Sequence, residues 1–133
     1  MSLLLFPVFK PKLRLQPETT GEFIGANLGE LEDIAEEVGP DPLSTFGDNR
    51  DVPEDFDGDI SELDEVLGEW DEWFDPIEGA SAVDRLIGAI GEDSTLRTRL
   101  EVTDEVIREL NDLATQLRAA REQGCKFRLE LSY

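Results

Sequence analysis

The last eight residues of the chain alternate Phe127, Leu129, Leu131 and Tyr133 with Lys126, Arg128, Glu130 and Ser132, the period-two pattern of a strand with one buried face. A strand at the end of a chain leaves its N–H and C=O groups unmet unless another strand lies beside it. The other good candidate is Leu3-Leu4-Leu5-Phe6-Pro7-Val8-Phe9, too apolar for an exposed helix and too short for a membrane span. Pro7 suits a ladder position that needs no donor. The two termini are therefore predicted to be antiparallel neighbours, with the intervening helices packed on the inner face of that sheet. The alternation in Lys12-Leu13-Arg14-Leu15-Gln16 offers a continuation of the first strand.

Between the termini the period changes to 3.6. After a turn from Pro17 to Gly25, Leu28, Leu31, Ile34, Ala35 and Val38 form one apolar helix face, with Asn27 as cap, Glu30 at the third helical position and Gly39-Pro40 as stop. Leu63, Val66, Leu67, Trp70 and Phe74 form another, capped by Ser61. Asp75, Pro76 and Glu78 then read as cap, first helical residue and capping-box partner of the next helix. Proline disfavours the α region for Asp75, so one helix is predicted to stop and the next to start within a residue. The second carries Ala80, Val83, Leu86, Ile87 and Ile90 and closes at Gly91. Over 94–102 the pattern fits two readings: Ser94 as cap of a short helical turn, which is preferred, or Leu96, Leu100 and Val102 on a strand face. Thr103 caps the longest stripe, Val106, Ile107, Leu110, Leu113, Ala114, Leu117 and Ala120, closed by Gly124. On the opposite face Arg108 and Asp112 stand four apart and are expected to pair. The fold class is α+β: a single domain over 1–133, a small antiparallel sheet of the N- and C-terminal strands packed against about four helices, and a long acidic loop over 39–60.

Charge is distributed as unevenly as hydrophobicity. The net charge is −20, and residues 18–78 hold 22 acids against Arg50 alone. Such a field repels nucleic acid and anionic membrane and attracts basic proteins and divalent cations. The same acidity can also serve solubility alone, or a saline environment. With a single cysteine, Cys125, and no transmembrane run, a cytoplasmic protein is expected.

The chain has no histidine, which removes the usual general base, the commonest zinc ligand and the standard triads. Cys125 follows a helix C-terminus, where the dipole disfavours a thiolate, and no phosphate-cradling glycine loop is present. We therefore expect a non-enzymatic protein without a cofactor.

Two binding readings remain. Asp55, Asp57, Asp59 and Glu62 are candidate ligands if the stretch 55–64 is laid on a calcium loop, although Pro53 then falls on the first ligand position and Asp64 replaces the closing bidentate glutamate. The preferred reading is an interaction module of the inhibitor or immunity type that engages a basic protein through 39–78. In it Trp73 and Phe56 act as aromatic anchors within a rim of Asp55, Asp57, Asp71 and Glu72. Packing of Trp73 against the 39–60 loop is the alternative for that residue.

Overall fold

The computed structural model describes residues 3–13, 17–39, 41–47 and 72–132. Strands β1 (Leu4–Lys10) and β2 (Lys126–Ser132) form one antiparallel two-stranded sheet, with Leu4 opposite Ser132 and Lys10 opposite Lys126. The termini meet as the alternation predicts. Phe127 directs both its N–H and its C=O away from β1, to Phe74. By antiparallel parity, the pair two residues along, Pro7 opposite Leu129, also exchanges no ladder bonds. Proline is tolerated there for that reason.

Between the strands run α1 (Glu22–Ala26), α2 (Leu28–Val38), a 3-10 turn (Leu43–Phe46), α3 (Pro76–Glu92), α4 (Ser94–Arg99) and α5 (Thr103–Glu122). The sheet therefore packs against five helices among the described residues, where about four were expected. One cluster of buried side chains draws on every element, and α3 with α5 makes the most extensive interface. Phe127, Leu129 and Leu5 supply the sheet's contribution. Leu131, expected in the core by its alternation, is 49% exposed. The alternation marks a face, and the helices cover only part of it.

The helix α1 falls where sequence suggested a turn. Its origin lies 85 residues away: Glu109 on α5 is buried, and its carboxylate accepts the amides of Phe23 and Ile24, both at 2.8 Å, and of Gly21 at 3.1 Å. These are the donors that a helix N-terminus leaves unmet, and the negative charge suits its dipole. One turn on, Asp112 accepts the Thr19 hydroxyl at 2.9 Å and the amides of Thr19 and Glu18. Asp112 is thus committed to residues 18–19, and Arg108 contacts Glu105 at 3.9 Å instead of pairing with Asp112 as expected. At Gly21 the backbone has φ +84°, and a β-carbon would collide with the Leu5 carbonyl; only glycine fits.

Several caps also differ from expectation. Asn27 occupies the cap position of α2 as expected, but its side chain makes no capping bond; it is buried, donating to the Phe23 and Glu101 carbonyls and accepting the Glu101 amide at 2.8 Å. Asp93, one residue before Ser94, caps α4 through Thr95 N at 2.8 Å. Val102, in a left-handed conformation, occupies the cap position of α5, while the Thr103 hydroxyl donates to the Arg97 carbonyl at 2.7 Å. Lys12 and Leu13 do not continue β1, and α3 runs one residue past Gly91. Arg99 ties α4 to α2 by donating to Glu30 and Glu37, and the hydrogen bond it donates to the Glu37 carboxylate is the main influence raising its pKa. Among the described residues no helix is long and apolar enough to cross a membrane.

A candidate partner-binding groove

The helix predicted to run as far as Phe74 does not. Glu72 and Trp73 have no regular structure, and Phe74 is extended, with its amide on the Phe127 carbonyl at 2.7 Å and its carbonyl accepting the Phe127 amide at 3.0 Å. The remainder of that predicted helix lies outside the described residues. The periodicity extended into Phe74, but a sheet edge one residue long competes for its backbone and wins. The start of α3 follows the sequence closely: Asp75 Oδ1 accepts the Ile77 amide at 3.0 Å, and Pro76 is buried in the first turn. Glu78 does not reach back to close a capping box, so its carboxylate is left at the surface.

Extended backbone turns successive side chains to opposite faces. Phe74 turns inward, where its ring stands perpendicular to Phe46 at 5.6 Å, and Phe46 lies 5.3 Å from Phe127. Trp73 turns to the other face of the sheet, where Arg128 stacks 4.5 Å and Lys10 5.5 Å from the ring centroid. It is half-buried against cations of the strands, and Glu72 beside it is exposed. The 3-10 turn is held by its own bonds and by Ser44, whose hydroxyl donates to Glu32 on α2 at 2.6 Å. Leu43 and Phe46 are buried, as a docked loop requires.

These placements bring the two described ends of the acidic block together. Between the 3-10 turn and the first turns of α3 lies an open groove of about 570 Å³. Its floor is Phe46 and Phe74, Ile77 stands beside it 42% exposed, and Asp41, Glu78 and Arg85 border it. None of those three charges makes an ion pair or side-chain hydrogen bond among the described residues. Elsewhere Arg97, Arg99, Arg118 and Arg128 all engage acids of the chain. A second groove, along α5, is bordered by Arg108 and Asp112, both already engaged within the fold.

Of the residues singled out from sequence, Glu72 and Trp73 are placed, and neither borders the groove. Asp55, Phe56, Asp57, Asp59, Glu62 and Asp71 lie outside the described residues, as does the whole candidate calcium loop. Among the described residues no three acids or cysteines are grouped to hold a metal. Ile77 and Phe46 escaped sequence reasoning as site residues; the signal was an exposed isoleucine in the first turn of a helix whose apolar face lies elsewhere. Comparison with known protein families, curated proteins and solved structures finds no match for this chain.

Proposed function

We propose that the chain is a non-catalytic interaction module, of the inhibitor or immunity type, whose acidic 39–78 region engages a basic protein. The observation that carries this reading is the groove: an exposed isoleucine above an aromatic floor, bordered by Asp41 and Glu78, which pair with no other charge among the described residues. Apolar centre and charged rim are the anatomy of a recognition surface. The surrounding field adds to it, since 22 acids in 18–78 steer a cationic partner towards this side of the sequence and speed encounter. The apolar anchor in this reading is Ile77 with the Phe46–Phe74 floor, and Trp73 serves the sheet.

Zero-length carbodiimide cross-linking tests the proposal, because it joins carboxylates of this chain directly to lysines of a captured protein. With partner retained at about 0.15 M salt, where diffuse attraction is largely screened, cross-links are expected within 39–78, Asp41 and Glu78 among them. Capture that disappears at that salt, or cross-links spread evenly over acids such as Asp33, Glu92 and Glu122, contradicts it.

A further inference from the structure

The groove specifies more than a basic partner. Its floor is aromatic, its exposed wall is a single aliphatic side chain, and its border carries two acids and one base, Asp41, Glu78 and Arg85. Charges without a partner among the described residues, beside exposed apolar surface, favour a partner that supplies both the apolar filling and the counter-charges. A purely cationic partner leaves Ile77 and the Phe46–Phe74 floor wet; a purely apolar one leaves Asp41, Glu78 and Arg85 facing desolvation without compensation. A second copy of the chain brings a further net charge of −20 towards the first, which opposes self-association.

Resting on the reading of 39–78 as an interface, we propose that the groove takes a short amphipathic segment of a partner polypeptide. One aliphatic or aromatic side chain sits between Ile77 and the Phe46–Phe74 floor, and flanking lysine or arginine residues meet Asp41 and Glu78. An acidic residue of the same segment meets Arg85. The apolar contact sets the lifetime of the complex, and the acids set its rate of formation.

The test uses three short fluorescent peptides and the full chain, read by anisotropy at about 0.15 M salt. One peptide combines leucine and lysine at helical spacing, one has serine in place of leucine at the same charge, and one has glutamate in place of lysine. The leucine–lysine peptide is expected to bind saturably. Ile77→Ser and Glu78→Lys are each expected to weaken it by about tenfold, a loss of about 1.4 kcal/mol, while Trp73→Ala leaves it unchanged. Ile77 and Glu78 are exposed, so both variants keep the fold, with circular dichroism as the check. Equal binding of the serine–lysine peptide overturns the inference and leaves the broader acidic-interface reading standing. Absence of leucine–lysine binding, or indifference to both groove variants, overturns it too. A monomer–dimer equilibrium abolished by Ile77→Ser assigns the groove to a second copy instead, and likewise overturns it.

Discussion

Gly79, in the first turns of α3, lies flush against Phe127 of β2: a β-carbon there would collide with the Phe127 ring, and would also stand 3.1 Å from Leu117 Cδ1. The contact couples the start of α3, the longest helix α5 and the C-terminal strand at one point. The Phe127 ring in turn packs against Phe46 at 5.3 Å and Phe74 at 6.3 Å, the two residues of the groove floor.

Gly79→Ala is accordingly expected to destabilise the fold, although alanine is the better helix former by about 1 kcal/mol. Overpacking a filled core costs about 1–3 kcal/mol, which exceeds that gain in most of its range. Gly88, on the same helix with nothing within 4 Å of an added β-carbon, is the control: Gly88→Ala should stabilise. Urea denaturation of the two variants checks the sign of each.

Glu109→Gln keeps the shape of the side chain but replaces one acceptor oxygen with an NH2 group, facing either the Gly21 amide or those of Phe23 and Ile24. Loss of hydrogen bonds to a buried charged acceptor predicts about 2–3 kcal/mol of destabilisation. The damage should be local as well as global. Amide exchange at Gly21, Phe23 and Ile24 is expected to quicken more than at Leu110 or Leu117, and uniform quickening would contradict the clamp.

Phe127 and Leu131 lie on one face of β2, with relative exposures of 0% and 49%. Phe127→Ala is expected to cost about 3–5 kcal/mol, against less than about 0.5 kcal/mol for Leu131→Ala. Chemical denaturation of the two variants measures the difference, and similar losses would contradict the placement of the helices on the sheet.

The α+β fold was legible because a terminal strand with one apolar face has few ways to satisfy its backbone, and because the stripes from Leu28 to Val38 and Val106 to Ala120 belong to a helix period. The start of α3 was legible because Asp75 and Pro76 act over two residues. What escaped was set by partners distant in sequence. Helix α1 depends on Glu109 for its N-terminal acceptors, the Asn27 side chain is held by the Glu101 backbone instead of bonding into α2, and Phe74 is drawn from helix to bridge by Phe127. Glu109 did carry a local signal, an acid within the apolar stripe of Val106, Leu110 and Leu113. The groove carried almost none, since Phe46 and Ile77 are 31 positions apart and only the fold brings them together.

The proposed docking of a cationic, amphipathic segment between the 3-10 turn and the start of α3 is checked residue by residue by following backbone amides of the isotopically labelled chain during titration with the leucine–lysine peptide at about 0.15 M salt. Saturable shifts clustered at Thr45, Phe46, Phe74, Ile77 and Arg85, with Trp73, Lys10 and Arg128 unmoved, are the predicted result. Non-saturating shifts spread over the acids of α2 and α5, or a cluster on the Trp73 face of the sheet, would contradict it.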